Sequence, residues 1–323
     1  MIYLDTLTPL PIIEDYLRSK SWLLASERIL SVEKPGEGNM NVVLRIKTDQ
    51  RSFVLKQSRP YVQKYREIEA PLDRIEVEYR FYQSVRDRNP ANPFPKIFGY
   101  EPNDFILLME DLGQCEDMVS CYDTRTLSPG LQTQLLHTLN EIHLKTPPPD
   151  FLENMALRQL NHQHIFVLPF MEKNGFELDK VQPGLETLAR PYKKDLALKK
   201  VVDSLGEKYL SKGNTLLHGD FYPGSWMFKE ETVYIIDPEF SFLGFSEFDL
   251  GVMAAHLVMI TMDTGYLEHV FYGYEGKADK KLTAQITGVE IMRRLIGLAQ
   301  LPMCRSLDEK RLLLQNAKQL ILS

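Results

Sequence analysis

The stretch LLHGDFYPGSWMFKEETVYIIDPEF, residues 216–240, sets ionisable side chains directly beside apolar runs. The side chains concerned are His218, Asp220, Asp237 and Glu239, and the runs are TLL and VYII. A charge that leaves water is costly unless an opposite charge or a metal ion compensates it. The stretch therefore predicts a positively charged partner for its acids, and the rest of the chain helps to identify it.

Three acids of this stretch, Asp220, Asp237 and Glu239, come after strand-like runs. Asp220 precedes a loop, where a carboxylate can accept a proton from a substrate hydroxyl. Asp237 and Glu239 follow the second run, and Pro238 between them prevents a helix. Two acids one residue apart can share one hard cation, and Mg²⁺ suits such a site when ATP phosphates complete its shell. The alternative is that each acid caps a turn at a strand end.

A Gly-rich turn and a lysine lie upstream of these acids. The turn PGEGNMN, residues 35–41, separates two strand-like runs, and Lys56 lies one strand after it. Glycines let backbone N–H groups approach phosphate oxygens closely, and kinases hold the α- and β-phosphates with a lysine placed in this way. The alternatives are an ordinary hairpin turn and a lysine that extends into solvent from a sheet edge.

A helix with an acid on its apolar face follows the lysine. Ile75 and Tyr82 belong to that face, and Glu78 lies between them at helical spacing. A carboxylate in the middle of an apolar face needs a cationic partner, so the sequence pairs Glu78 with Lys56. Glu76 lies towards the polar side of the helix and fits a solvated residue.

The bulk properties of the chain exclude several classes of function. With 323 residues and a net charge of −6, it has no basic excess to neutralise nucleic-acid phosphates. Three cysteines without a CxxC spacing argue against a disulfide framework or a zinc site. The N-terminus lacks the basic segment of a secretory signal, and the apolar run 250–262 is too short to span a bilayer. We expect a soluble cytoplasmic protein whose partners include neither nucleic acid nor membrane.

The strand and helix patterns predict two lobes. Period-2 alternation, as at Leu44 and Ile46, marks five antiparallel strands accompanied by one helix in the first third of the chain. Helical spacing dominates after that. We predict an α+β, bilobal fold with a smaller strand-rich lobe at residues 1–110 and a larger, mainly helical lobe at 111–323. A hinge near 109–113 joins them.

Several other polar residues have weaker interpretations. His162 and His164 form an HxH pair without a third metal ligand. His218 is interpreted as a structural residue that bonds the backbone near its own loop. Asp249 is either a helix N-cap or a buried acceptor for loop amides. None of these four residues is assigned to the chemistry.

Six segments of the chain form a recognisable ordered set: GEGNMN, FVLKQSRPYV, LLMEDL, HGDFYPGSWM, DPEFSFLGFSEFDLG and RRLIGLA. Together they resemble the methylthioribose kinases, which belong with the aminoglycoside and choline kinases to the phosphotransferases of protein-kinase-like fold. Ser225 also stands where most relatives of this fold have a metal-binding asparagine. The resemblance covers residues 30–112 and 214–300, and it implies the bilobal protein-kinase-like fold.

The resemblance implies an ATP:alcohol phosphotransferase that uses ATP and Mg²⁺ to phosphorylate 5-methylthioribose in methionine salvage. It implies Asp220 as the catalytic base, and Arg293 and Arg294 as substrate contacts. The metal ligands it implies are Asp237, Glu239 and Ser225. The nucleotide-binding residues it implies are Gly36, Gly38, Asn39, Asn41, Lys56, Glu78, Met109, Glu110, Asp111 and Leu112. Because dimers occur in that family, a second copy of the chain is a candidate partner besides the small-molecule hydroxyl substrate.

The chain departs from the family pattern where the acceptor would bind. Residues 221–223 replace the usual Leu-His-Thr after the aspartate, Gln300 replaces an expected histidine, and the match is thin across 113–213. A kinase of another small metabolite, such as an aminoglycoside, an amino alcohol such as choline, or a sugar, therefore stays open. A catalytically silent nucleotide-binding regulator is a further alternative, which the complete set of lysine and acids disfavours.

Overall fold

The computed structural model of the chain describes residues 1–36, 40–86 and 93–323. The chain divides into two compact units: unit 1 has residues 1–115 and 234–240, and unit 2 has residues 116–233 and 241–323. The sequence placed a single boundary near residue 110, whereas the chain returns to unit 1 for residues 234–240. No helix in the described part of the chain is long and apolar enough to cross a membrane.

Unit 1 is built on an antiparallel sheet. Its strands are β1 (Ile29–Glu33), β2 (Val42–Thr48), β3 (Ser52–Gln57), β4 (Tyr61–Val62), β5 (Tyr65–Glu69), β6 (Ile97–Glu101) and β7 (Ile106–Glu110). Five of them form the sheet in the order β1-β2-β3-β7-β6, so the prediction of five antiparallel strands is confirmed. The remaining pair, β4 and β5, forms a separate hairpin that was not predicted.

A first helix, α1 (Leu10–Ser19), belongs to the apolar core of the sheet. Its buried residues Ile13 and Leu17 lie in one cluster with Ile46 of β2 and Leu55 of β3. Pro11 is tolerated because the N–H that proline lacks has no partner in the first helical turn. The prediction of a single helix in this part of the chain was wrong, because α1 is short and has only two buried residues.

The second helix, α2 (Arg74–Val85), has the orientation that its apolar spacing predicts. Glu78 is fully buried, whereas Glu76 remains partly exposed. Arg74 at the start of the helix is also fully buried, which the sequence did not predict. Its guanidinium donates hydrogen bonds to the backbone carbonyl oxygens of Met40, Arg59 and Pro71. Arg74 thereby ties α2 to three loops of unit 1.

Unit 2 is mainly helical, as predicted. Its helices are α3 (Cys121–Thr124), α4 (Pro129–Leu144), α5 (Met155–His162), α6 (Leu178–Val181), α7 (Leu185–Lys193), α8 (Leu196–Leu210), α9 (Glu247–Thr261), α10 (Tyr266–Gly273), α11 (Lys280–Ile296) and α12 (Leu307–Leu322). The later strands are β8 (Glu116–Asp117), β9 (Thr215–Leu217), β10 (Trp226–Lys229), β11 (Thr232–Ile235) and β12 (Phe242–Gly244). β8 pairs with β10 and β9 pairs with β12, both antiparallel.

Helix α11 packs closely against both α9 and α12 because glycines lie at the contacts. A Cβ atom on Gly251 of α9 would lie 2.6 Å from Ile286 of α11, and one on Gly288 would lie 2.5 Å from the Ala317 carbonyl oxygen of α12. Any larger residue would separate the helices. This packing fixes the last turn of α11, which carries the two adjacent arginines of the RRLIGLA segment.

Candidate active site

The predicted pair of Lys56 and Glu78 forms in unit 1. Lys56 on β3 and Glu78 on α2 are both buried, and Lys56 Nζ donates to Glu78 Oε1 at 2.7 Å. The same ammonium group also contacts the carboxylate of Asp237. Burial alone lowers the pKa of Lys56, but Asp237 and Glu78 together raise it well above its ordinary value. The lysine is therefore a permanent positive charge that two carboxylates share.

The second acid of the DPE triplet, Glu239, is buried and has a different cation. Its Oε2 accepts a hydrogen bond from Asn41 Nδ2 at 3.0 Å and lies 3.2 Å from Arg74 Nε. Burial raises the pKa of Glu239, and the positive charge of Arg74 opposes that rise. Sequence reasoning missed Arg74, and its position at the start of an amphipathic helix gave no signal beyond that of an ordinary surface arginine.

Asp237 is the exposed acid of the triplet, with 43% of its side chain accessible. Its backbone is in the left-handed region, with φ at +62°. That conformation costs a non-glycine residue on the order of 1–3 kcal/mol, and residues held in it cluster at functional sites. Strain and exposure together mark Asp237 as the acid of this cluster that can take a ligand from solvent.

The acids of unit 1 fit a magnesium ion by their chemistry. Mg²⁺ is usually held by one or two carboxylates, with phosphates and water as the other ligands. Asp237 offers such a carboxylate, and the buried Oε2 of Glu78 has no hydrogen-bond partner among the described residues. Within residues 1–36, 40–86 and 93–323, no three His, Cys, Asp or Glu side chains form a metal site by themselves. The acids therefore suit a metal that a bound phosphate also ligates.

The HGD loop of unit 2 is anchored through its backbone. Asp249 on α9 accepts hydrogen bonds from the N–H groups of His218 at 2.7 Å and Gly219 at 3.0 Å. Gly219 has φ at +87°, a conformation that favours glycine. Of the two interpretations of Asp249, the buried acceptor for loop amides is confirmed, because Ser246 occupies the N-cap position of α9. His218 is structural as predicted, since its Nδ1 accepts the backbone N–H of Asp220.

The anchored loop presents Asp220 to the two arginines at the end of α11. Asp220 Oδ1 accepts hydrogen bonds from Arg293 Nη2 and Arg294 Nη2, each at 3.1 Å. About a fifth of the Asp220 side chain, 22%, is accessible. The buried hydroxyl of Ser225 donates to the Asp220 backbone carbonyl oxygen at 2.7 Å. The structure thus brings together the predicted base and the predicted substrate arginines, while Ser225 supports the loop.

Glu290 lies one turn before the arginines and contacts both of them. It was not predicted as a site residue from the sequence. Its Oε1 accepts from Arg294 Nε at 2.8 Å, and its Oε2 lies 2.5 Å from Arg293 Nε. Although burial raises the pKa of Glu290, the two guanidinium groups hold it well below its usual range. The spacing of the glutamate three and four residues before the arginines is the signal that could have revealed the contact.

Behind Glu290 lies a further pair of buried polar side chains. His256 Nε2 is 3.0 Å from Glu290 Oε1, and the hydroxyl of Tyr122 is 2.6 Å from His256 Nδ1. Burial lowers the pKa of His256 from 6.5 to about 4. Tyr222 of the FYP segment lies beside this group, with the Arg294 guanidinium 4.6 Å from its ring centre. Arg294 is thereby in contact with two carboxylates and an aromatic ring.

The remaining predicted nucleotide-binding residues lie in the Gly-rich turn and after the central strand. Gly38 and Asn39 fall outside the described residues. A Cβ atom added to Gly36 would meet no atom of the described residues within 4 Å. Residues 109–112 run from the end of β7 into the following loop. The role of these residues in nucleotide binding stays a prediction.

The two histidines of the HxH pair, His162 and His164, have different surroundings. His162 stacks on Phe166 with ring centres 5.6 Å apart and packs on Gly206 of α8, where a Cβ would lie 2.5 Å from its Nε2. It also lines an open pocket of about 490 Å³. His164 has its pKa lowered by burial and further by the charge of Arg293. His164 therefore lies within electrostatic range of the arginine pair.

The chain is similar to known proteins over most of its length. The phosphotransferase enzyme family matches residues 31–284. A methylthioribose kinase of Exiguobacterium sibiricum is 28% identical over 248 residues, which cover 73% of this chain and 62% of that protein. A methylthioribose kinase of Pectobacterium atrosepticum is 27% identical over 261 residues, which cover 76% of this chain and 64% of that protein. The chain therefore matches less than two thirds of the length of these curated relatives.

A solved structure shares the fold. The crystal structure of a spectinomycin phosphotransferase in complex with ADP and spectinomycin matches with a TM-score of 0.54 at 14% identity, and the match covers 98% of each chain. The predicted α+β, protein-kinase-like fold is confirmed by this similarity and by the five-stranded sheet. Because the family match extends over more than half of the residues, the chain belongs to the phosphotransferase enzyme family.

Proposed function

We propose that the chain is an ATP-dependent kinase that transfers the γ-phosphate to a hydroxyl of 5-methylthioribose or a related thiosugar. Its family membership supports phosphotransfer, and the methylthioribose kinases among its relatives support this acceptor. The observation that carries the proposal is the carboxylate of Asp220, which an anchored loop presents to Arg293 and Arg294. The arrangement offers a base beside two groups that bind anionic oxygen.

In this proposal unit 1 binds the nucleotide and unit 2 binds the acceptor. Lys56, kept charged by Glu78 and Asp237, binds the α- and β-phosphates of ATP. The Gly-rich turn at residues 35–41 covers the phosphates with backbone N–H groups. The backbone of residues 109–112 recognises the adenine ring, as the family resemblance implies.

The metal ligands in this proposal are Asp237, Glu239 and Ser225. A bound Mg²⁺ neutralises charge on the phosphates and orients the transferred group. Glu239 already has Arg74 as its counter-ion, and the Ser225 hydroxyl donates to the carbonyl oxygen of Asp220. Asp237 is the exposed acid among the three, so we expect it to make the largest contribution to metal binding.

Asp220 acts as the general base for the acceptor hydroxyl. Its Oδ1 already accepts hydrogen bonds from both arginines, so Oδ2 accepts the hydroxyl proton as the new O–P bond forms and the bond between the γ-phosphorus and the departing ADP breaks. The anchors from Asp249 hold the loop without a rearrangement during the reaction. The contribution of the protein is mainly orientation and charge stabilisation, as in other phosphoryl transfers.

The charges around Asp220 favour an uncharged acceptor. Two guanidinium groups balance the two carboxylates of Asp220 and Glu290, so this cluster has no surplus negative charge for an amine. A cationic acceptor such as choline or an aminoglycoside would meet two arginines next to the base. Like charges in one site repel, and a neutral sugar avoids that cost. This balance supports a thiosugar over the amine-bearing alternatives.

The test is an acceptor screen with the purified protein. Phosphoryl transfer from Mg²⁺-ATP is followed as ADP release with 5-methylthioribose, uncharged sugars, amino alcohols and aminoglycosides, and mass spectrometry identifies the phosphorylated product. We expect saturable turnover with 5-methylthioribose and little with the cationic compounds. Turnover with a cationic acceptor alone would overturn the thiosugar assignment and keep the kinase. Bound ATP without turnover on any acceptor would favour the regulatory alternative.

A further inference from the structure

A continuous chain of buried polar contacts runs from Tyr122 to Asp220 in unit 2. The hydroxyl of Tyr122 meets His256, His256 meets Glu290, and Glu290 meets both arginines through their Nε atoms. Each arginine then reaches Asp220 with its Nη2 atom. The groups come from α3, α9, α11 and the HGD loop, so the chain of contacts joins three helices to the catalytic loop.

The direction of each hydrogen bond follows from the chemistry of the groups. A carboxylate only accepts, so the proton of the neutral histidine lies on Nε2 and is donated to Glu290. The bare Nδ1 of His256 then accepts the hydroxyl proton of Tyr122. A neutral His256 agrees with its burial, which lowers its pKa to about 4. Tyr122 thereby selects the tautomer of the histidine, and the histidine fixes the carboxylate.

The arginines need such a support because they are adjacent and carry the same charge. Without Glu290, two guanidinium groups on long, flexible side chains would repel each other near a single carboxylate. Glu290 Oε1 accepts a hydrogen bond from Arg294 Nε, which fixes the plane of that guanidinium, and Oε2 forms an ion pair with Arg293 Nε. Both Nη2 atoms are then directed at the same oxygen of Asp220.

We propose that Glu290, oriented by neutral His256 and Tyr122, is the positioning residue that holds Arg293 and Arg294 against Asp220 and the acceptor. This inference rests on the proposed function, in which Asp220 is the base and the arginines contact the acceptor. Glu290 itself touches neither reactant. Replacement of Glu290 should therefore lower kcat/KM for the acceptor and leave the affinity for ATP unchanged.

The test compares Glu290→Gln and Tyr122→Phe with a control, Glu186→Gln. Glu186 pairs with the buried Lys193 at 3.2 Å on α7, so its replacement also breaks an ion pair of a buried cation in unit 2. We expect Glu290→Gln to lower kcat/KM for the acceptor about 10- to 100-fold, with Tyr122→Phe giving a smaller loss of the same parameter. KM for ATP should change little in either, and the control should leave both parameters unaltered.

Two results would overturn the inference. The first is a folded Glu290→Gln protein whose kcat/KM for the acceptor equals that of the wild type. The second is an equal loss of kcat/KM for ATP and for the acceptor, which a general structural defect would cause. Because Glu290→Gln can unfold the protein, thermal melting is measured for each variant. Tyr122→Phe tests the same chain of contacts and removes only one hydroxyl group.

A substrate-free measurement separates this inference from the proposed function. NMR of ¹⁵N-arginine-labelled protein reports whether the Nε–H group of Arg294, which donates to Glu290, is protected from exchange with water. Protection in the wild type that is lost in Tyr122→Phe supports the positioning role even if no acceptor is turned over. Equal exchange in wild type and variant overturns it. Absence of turnover in the wild type alone counts against the proposed function and not against the positioning of the arginines.

Discussion

The charge clusters of the two units differ in their balance. In unit 1, the acidic side chains outnumber the basic ones, because Lys56 and Arg74 face the three carboxyl groups of Glu78, Asp237 and Glu239, and burial raises the pKa of Glu78 and of Glu239. In unit 2, the two arginines face the two carboxylates of Asp220 and Glu290, and the charges cancel. The first cluster suits a metal ion that brings further positive charge, whereas the second suits a neutral reactant. The comparison explains why acids recur in this sequence beside apolar runs.

The two clusters also differ in rigidity. Both arginines of unit 2 donate from Nη2 to Asp220, and Arg294 also donates from Nε to Glu290, while Arg293 forms an ion pair with Glu290. In unit 1 the exposed Asp237 pairs with the ammonium group of Lys56, which is a point charge without a preferred plane. A balanced and rigid cluster fits orientation of a substrate, and an unbalanced one with an exposed acid fits capture of a cation.

The largest effect should come from removing the base. Asp220→Asn keeps the size of the side chain but cannot accept the hydroxyl proton, and we expect turnover to fall about 10²- to 10⁴-fold. ATP affinity, measured by calorimetry, should remain because unit 1 is unaltered. The exposed residue Asp203 of α8 provides the control as Asp203→Asn. Wild-type turnover in Asp220→Asn would exclude Asp220 as the base.

The excess of acidic groups in unit 1 is tested by Asp237→Ala. This change removes the exposed carboxylate of the cluster, so we expect affinity for Mg²⁺-ATP to fall at least about tenfold. Metal-free ATP should bind as well as before or better, because one repelling charge is gone. Calorimetry with Mg²⁺ and with a chelator distinguishes the two ligands, and Glu33→Ala, an exposed acid on β1, is the control. Equal affinities for Mg²⁺-ATP in wild type and variant would remove Asp237 from the metal site.

The rigidity of unit 2 is tested by Arg294→Lys, which keeps the charge balance and removes the planar fork. A lysine cannot meet Glu290 and Asp220 with the same geometry, so acceptor kcat/KM should fall by roughly tenfold while KM for ATP is maintained. The exposed Arg311→Lys serves as the control. If Arg294→Lys matches the wild type, charge alone accounts for the arginine and its geometry has no function.

The smallest effect concerns stability at mildly acid pH. The pKa of His256 is lowered from 6.5 to about 4 in the folded protein, so the unfolded chain binds the extra proton first as the pH falls. Stability is therefore complete above about pH 6.5 and decreases below it; one such histidine accounts for about 1 kcal/mol between pH 7 and 5.5. Urea unfolding at both pH values should show a smaller decrease in His256→Gln. Equal pH dependence in the two proteins would contradict a neutral, buried His256.

Local periodicity was sufficient to predict the Lys56 and Glu78 pair. Alternation along β3 placed Lys56 on the face opposite Leu55, and helical spacing placed Glu78 on the inner face of α2, so both positions follow from short segments. The order of the motifs then predicted Asp220 and the arginines, which the structure brings within hydrogen-bonding distance. These features depend on the chemistry of single elements or on a known order of motifs.

The residues that were missed depend on contacts between distant parts of the chain. Tyr122, His256 and Glu290 meet only because α3, α9 and α11 pack together, and no local pattern separates a buried histidine in an apolar helix from an ordinary core residue. Arg74 was missed for the same reason, since its partner Glu239 lies 165 residues away in the sequence. Pairing of buried charges over such separations requires the tertiary structure.

The return of residues 234–240 to unit 1 has a consequence for the order in which the protein is made. A nascent chain that has reached residue 115 contains every strand of the five-stranded sheet but lacks Asp237 and Glu239. At that stage Arg74 has its backbone acceptors but lacks the carboxylate of Glu239, and loss of one partner of a buried ion pair costs up to about 3–5 kcal/mol. Unit 1 can therefore reach its final stability only after the ribosome has also synthesised residues 116–233. A chain that is truncated between residues 116 and 233 therefore lacks the segment 234–240, which belongs to unit 1.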